Sequence, residues 1–287
     1  VPSLVRVLQT TRQTVSHTFL PDGVGTDAAG TVTVDVKRLD GTVVTSGTAT
    51  VGTPGDGIYT FDLPASAVLD AWTVDWTGSF GGASVTVRDY AEHVGGFLFG
   101  IAEARNMKPT LPVAVHSNAD IVEKRIEVEQ IAERIAGVAF VPRFERVVLS
   151  GRGTNQLVVP RIALRALRAV RIAGVDWDAP DVAAVAVSPS GVLTRTSGAA
   201  WPLGWENIIV EYEHGLDMPP EEIRTAGKIH LRNRLTLADT AIPYRAISFT
   251  IADGGVYRMS APSKDRTGIP EVDAAYLGQQ LEVGGFA

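Results

Sequence analysis

The 287-residue chain has no cysteine. Disulfides, thiolate metal sites and a cysteine nucleophile are thereby excluded. It also lacks any apolar run near the roughly 18 residues that a membrane-spanning helix requires. Its first residues, Val1–Thr11, have no continuous apolar core and do not read as a secretory signal. Histidine is scarce, with His17, His93, His116, His214 and His230 the only five, and none stands in a metal-ligand spacing with another His or carboxylate. No Gly-rich phosphate loop followed by Lys-Ser or Lys-Thr occurs, and no Gly-x-Ser-x-Gly elbow. An excess of positive charge is missing as well. Lys and Arg number 26 against 32 Asp and Glu, a net charge of −6, where a dedicated nucleic-acid binder would be basic. These absences predict no catalytic residues, no metal and no cofactor, and a chain that is not an enzyme.

What remains is a folded α+β protein with room for two domains, 45% hydrophobic and 20% charged. Residues 1–95 read as all-β. Runs such as TVTVDVKRL, GIYTFDL, WTVDWTG and ASVTVRDYAEHV alternate apolar with polar residues and are rich in Val, Thr and aromatics. Asp22-Gly23, Asp40-Gly41 and Pro54-Gly55-Asp56-Gly57 punctuate them as turns. About seven short strands at this spacing predict an immunoglobulin-like β-sandwich. Trp72, Val74 and Trp76 share one face of their strand and read as core rather than as a ligand platform.

The texture changes after Gly95-Gly96. Residues 96–251 read as a second domain with helices near 97–107, 118–136 and 220–237 and strands between them. The middle helix starts at a capping-box pair, Ser117 and Asp120, and stops at Gly137. Its apolar stripe is Ile121, Val128, Ile131 and Ile135, with Glu123, Lys124, Glu127, Glu129, Glu133 and Arg134 on the rest. The stripe fits a helix packed on one side, or an interface helix buried between neighbouring copies. Pro219, Pro220, Glu221 and Glu222 suit the first turn of the last helix. From residue 252 the chain turns Gly-, Pro- and Ser-rich and predicts an extended C-terminal arm, 252–287, with one helical turn near Pro270–Leu277. Tyr257, Ile269, Val272, Tyr276 and Leu277 are its candidate docking anchors.

Several clusters invite chemistry and read better as structure. The string SGRGTNQ, Ser150–Gln156, fits a hairpin turn and not a phosphate loop. Glu206, Glu211, Glu213 and Asp217 fit a solvated sheet face better than a hard-metal site. Arg224, Lys228 and Arg232, at i, i+4 and i+8, form a basic stripe, and Arg161, Arg165, Arg168 and Arg171 cluster in a strand region. Either set fits phosphate contacts or a solvated or intersubunit face with carboxylate partners.

One ordered set of motifs goes further. Phe144-Glu145-Arg146 follows a helix. Gly151–Gly153, Leu157–Pro160, Leu193–Arg195, Trp201-Pro202, Asn207–Gly215 and Pro219 come after it, followed by TGIPEVDAAYL at 267–277. In this order, over about residues 97–280, the chain resembles the head-to-tail connector (adaptor) proteins of long-tailed bacteriophages. The resemblance implies a helical domain with a small β-sheet or hairpin, and a structural role in the virion neck. It also implies a ring of about twelve copies beside the portal protein, a next connector, stopper or tail-terminator ring as partner, and DNA passing non-specifically through the bore. Trp201, Pro202, Trp205, Tyr212 and Gly215 would be packing and turn anchors of that domain. Residues 1–95 lie outside the common region and read as a fused decoration. The alternative is a tail, baseplate or adhesin-like protein whose N-terminal β-domain binds a surface glycan.

Overall fold

A computed structural model describes residues 3–108, 110–236, 246–250, 256–259, 263 and 266–280. The chain is mixed α+β and divides into two compact units: Val1–Gly95 with Arg143–Arg146, and Gly96–Pro142 with Val147–Ala287.

The first unit contains β1 (Leu4–Leu8), β2 (Gln13–Thr18), β3 (Thr33–Arg38), β4 (Val43–Thr48), β5 (Thr50–Val51), β6 (Ile58–Leu63), β7 (Asp70–Phe80) and β8 (Ala83–Val94). One sheet has the order β1-β8-β7-β3-β4 and the other β2-β6-β5. Lettered along the chain, these are A-G-F-C-C′ and B-E-D, the neighbourhoods used by immunoglobulin-type sandwiches, with the first strand lying parallel to the last. Alternation drives the packing. Val34, Val36, Trp72, Val74 and Trp76 from the larger sheet share one core with Val15, Tyr59 and Leu63 from the smaller. The opposite face of the larger sheet is ionic, with Asp75 held by Arg88 at 2.6 Å and by Lys37 at 3.5 Å. A buried pair adds a second tie. His17 Nδ1 lies 2.8 Å from Asp89 Oδ2, while Asp89 Oδ1 accepts the Ser3 N–H at 2.7 Å. These bonds hold the Asp89 carboxyl below its ordinary range although burial pushes it the other way.

The second unit contains α1 (Ile101–Asn106), α2 (Asn118–Ala136), most of β9 (Arg143–Gly151), β10 (Gln156–Val158), β11 (Leu164–Ile172), β12 (Val175–Asp176), α3 (Ala179–Ala183), β13 (Val185–Ser188), β14 (Val192–Arg195), β15 (Gly204–His214), α4 (Glu221–Thr236), β16 (Ala246–Thr250), β17 (Val256–Met259) and α5 (Pro270–Gly278). It has two cores. The first lies within a bundle of α1, α2, α4 and α5, where Leu98, Phe99, Ile121, Val128, Ile135, Ile223, Leu231, Val272 and Tyr276 pack together. The second lies in the β region, built on the sheets β12-β11-β15-β9 and β10-β14-β13. β16 and β17 pair antiparallel as a two-stranded hairpin.

Local signals set the helix ends. Ser117 Oγ accepts the Asp120 N–H at 3.1 Å and the Asp120 carboxylate accepts the Ser117 N–H at 2.8 Å. Gly137 closes α2 in the left-handed conformation, φ 72°, donating its N–H to the Glu133 carbonyl. α1 begins later than the predicted 97. Leu98 donates its N–H to the buried Glu129 carboxylate at 2.8 Å, and Arg125 donates to the Phe99 carbonyl while its guanidinium lies 3.7 Å over the Phe97 ring. Residues 97–99 are thus tied to α2, and the helix restarts where the Glu103 side chain accepts the Gly100 N–H.

Four expectations are corrected here. The α2 stripe Ile121, Val128, Ile131 and Ile135 faces α4 and α5 of its own chain and is not free to cover a neighbouring copy. Glu129 belongs to the buried side of that helix at 2% exposure, not to its solvated side. The Ser150–Gln156 string does not close a hairpin, because β9 and β10 enter different sheets. The C-terminal stretch is not an extended arm throughout. Ile269, Val272, Tyr276 and Leu277 pack into the bundle core through α5, and the backbone at Tyr257 belongs to the β17 strand. The physical reason is a local clamp. The Asp273 carboxylate accepts the Thr267 N–H, the Thr267 hydroxyl and the Gly268 N–H, at 2.6, 2.7 and 3.1 Å. Gly268 takes φ 85° and Pro270 starts the helix, so TGIPEVD builds its own cap. The predicted end of the last long helix at Leu237, the Tyr257 side chain and most of the remaining arm lie outside the described residues.

Candidate functional site

The motif residues converge on the β core of the second unit. Along β15, Ile208, Val210, Tyr212 and His214 alternate into the interior, the first three fully buried. Gly215 follows at φ 102°, and a Cβ there would stand 2.2 Å from the Val141 carbonyl oxygen, so no other residue fits. Asn207 fastens the neighbouring turn. Its Oδ1 accepts the Gly151 N–H at 3.0 Å and its Nδ2 donates to the Pro202 carbonyl at 3.1 Å. Gly151 is equally required, since a Cβ would meet the Pro202 carbonyl at 1.8 Å. Trp201 is fully buried and stacks on Trp177 at 5.3 Å with the rings 5° apart. Leu193 is buried beside them, and Arg195 places its guanidinium 4.8 Å over Trp177 while donating to the Ala200 carbonyl. Pro202 is exposed.

Trp205 is not an anchor. It is 84% exposed, and Leu203 is 81% exposed, at the mouth of β15. The buried face of β15 is Ile208, Val210, Tyr212 and His214, so Trp205 falls on the outward face with Asn207, Ile209 and Glu211.

The charged clusters resolve into pairs. Arg165 pairs with Asp217, Arg168 with Glu213 at 2.7 Å, and Arg171 with Asp176 at 2.6 Å. The α4 basic stripe does not exist as a surface. Arg224 is paired with Glu221 and Glu103, Lys228 is half-buried, and Arg232 is 5% exposed, because an i, i+4, i+8 series drifts around a 3.6-residue helix.

Composition alone did not reveal the polar interior of the bundle. His230 on α4 is 2% exposed, with its Nε2 accepting from Arg234 at 3.4 Å and its Nδ1 without a partner. The Tyr276 hydroxyl of α5 and the Asn233 Nδ2 are likewise buried and unpartnered. Burial, aided by the Arg234 charge, lowers the His230 pKa to about 4 against a weaker pull from Asp273. Burial beside Asp273 and Glu129 pushes the Tyr276 phenol up. Both rings are therefore neutral at pH 7.

Among the described residues no three His, Asp or Glu side chains are placed to hold a metal ion, and no helix is long and apolar enough to cross a membrane. No family model and no curated protein matches the chain. Solved structures do. The chain is similar to a component of the neck of an empty GTA particle, at 14% identity and TM-score 0.38, over 51% of this chain and 84% of that one. It is also similar to CopC from Methylosinus trichosporium OB3b, at 18% identity and TM-score 0.26, over 32% of this chain and 83% of that one. Likenesses this distant carry no argument about role.

Proposed function

We propose that this chain is a structural neck protein of a tailed-phage-type particle, an adaptor subunit that works as one copy of a ring of about twelve. The portal lies on one side of that ring and the next connector, stopper or tail-terminator ring on the other. The observation that carries the reading is the second unit's element set. The resemblance implies a helical bundle with a small β-sheet or hairpin, and the second unit combines a bundle of α1, α2, α4 and α5 with small sheets and the β16–β17 pair. The motif residues support it by what they do. Trp201, Asn207, Gly215 and Asp273 occupy positions that packing, close approach or capping demands, so their order along the chain reflects a shared scaffold rather than a shared reaction.

The role we assign is not enzymatic. The buried His230, Tyr276 and Asn233 lie inside the bundle, and the net charge of −6 suits a wall past which DNA slides without sticking. The glycan-binding alternative needs a platform of exposed aromatic side chains on the β-domain, whereas Trp72 and Trp76 are 2% and 0% exposed and Tyr90, at 43%, stands alone as an exposed aromatic among that unit's described residues. Co-assembly tests the proposal. The full chain mixed with the portal protein of its own particle should form a ring of many copies in mass photometry. Absence of any co-assembly across salt conditions counts against it.

A further inference from the structure

The second unit carries one apolar projection and one groove that the scaffold role leaves unused. Leu203 and Trp205 are the two most exposed large apolar side chains among the described residues. The turn presenting them is built, not loose. Asn207 clamps Gly151 to Pro202, Glu206 donates its N–H to Ser150 Oγ at 2.9 Å, and Trp201 just before is locked in the core. A tryptophan held in water by a preorganised and strained turn has already lost the entropy that an interface hot spot would cost. Arg152 stands exposed next to Gly151, and the Gly153 N–H donates to the Trp201 carbonyl at 3.1 Å, so this cationic loop runs alongside the tip.

The groove lies between the first turns of α4 and α5. Glu221, Glu222, Thr225, Ala226, Glu271 and Ala275 line about 290 Å³, with Ala226 and Ala275 buried and three carboxylates exposed; Glu221 is paired with Arg224, which leaves Glu222 and Glu271 to a partner. That space takes an indole, and its rim suits a guanidinium.

We propose that the Leu203–Trp205 tip of one copy docks into the α4–α5 groove of a second copy, with Arg152 facing the rim carboxylates. The charges choose this partner. The tip carries Arg152 and Glu206, and Glu222 and Glu271 of the groove's lining are not taken by Arg224, so Arg152 turns toward those two carboxylates and Glu206 away from them. Tip and groove are different patches of the same chain, so the contact is heterologous and repeats head to tail, closing a ring if the rotation closes. The inference rests on the ring reading above and names its contact.

The absence of cysteine makes the test clean. Full-length Leu203→Cys and Thr225→Cys chains, mixed at high concentration with a short bis-maleimide, should give chiefly a 203–225 cross-link. Adding Trp205→Ser to the first chain should abolish it. Arg152→Glu in that chain should weaken it about tenfold, and Glu222→Arg in the other should restore it. Self-association in mass photometry with no 203–225 cross-link overturns the docking contact and leaves the ring. A dominant 203–203 product also overturns it, placing tip on tip. Neither association nor cross-link, with the portal protein of its own particle also present, overturns contact and ring together.

Discussion

Acidification should loosen the helical bundle well before it reaches the carboxylates, through His230. Arg234 is its neighbour on α4, Asp273 and Tyr276 face it from α5, and Glu129 on α2 acts on Tyr276. The ring is neutral in the fold, with a pKa of about 4 against the ordinary 6.5. A histidine depressed in this way binds its proton more readily when unfolded. Its contribution is fully present above pH 6.5 and is lost as pH falls from 6.5 towards 4. At about 1.4 kcal/mol per pH unit, the loss approaches about 3 kcal/mol at the lower end. In the bundle, the hydrogen bonds with Ser117 hold the Asp120 carboxyl below its ordinary 3.8, so its contribution persists through this window and is lost only further down; Asp40, Asp75 and Asp89, also depressed, belong to the first unit. His93, also buried and depressed, belongs to the first unit, so the readout must be local. Hydrogen exchange on α4 and α5 amides, followed from pH 7 to 4.5 after correction for intrinsic rates, should show protection falling by about 2–3 kcal/mol. The same amides in His230→Gln should be nearly flat over that range. Equal pH dependence in wild type and variant would refute the reasoning.

Four substitutions test the scaffold. Trp201→Ala should cost about 3–5 kcal/mol in denaturant unfolding of the second unit, while Trp205→Ala should leave stability unchanged within about 0.5 kcal/mol. Equal effects of the two would contradict the burial assigned to them. Asp273→Ala removes three hydrogen bonds from the α5 cap and should cost about 2–3 kcal/mol, seen as fast exchange confined to α5. Ser117→Ala should cost about 1 kcal/mol, read as a lower melting temperature of the second unit.

Much of the frame is legible in the residues themselves. Alternation in TVTVDVKRL and WTVDWTG marks strands whose Val34, Val36, Trp72 and Trp76 are core, because a half-buried sheet enforces a period of two. Ser117 and Gly137 mark the ends of α2 for reasons local to the chain. The partner of an apolar stripe is not local. Ile121 and Val128 look the same whether covered by α4 and α5 or by another copy, and only the tertiary fold decides. Trp205 was misread for a similar reason. Its closeness to Trp201 suggests a shared anchor role, but the buried face of β15 carries Ile208, Val210 and Tyr212, and Trp205 stands on the opposite face. The Gly- and Pro-rich end reads as an arm, yet Gly268 and Pro270 within it belong to the turn and helix start that Asp273 clamps. Net charge likewise says nothing about which charges pair. Arg165, Arg168 and Arg171 read as a cluster and are separate ion pairs.

The central claim is a place in the particle, and electron microscopy of intact particles carrying this chain tests it most directly. The account predicts this chain as a ring immediately against the portal, its second units in mutual contact around the bore. Finding it at the baseplate or on fibre tips, or not in the particle at all, would contradict the account.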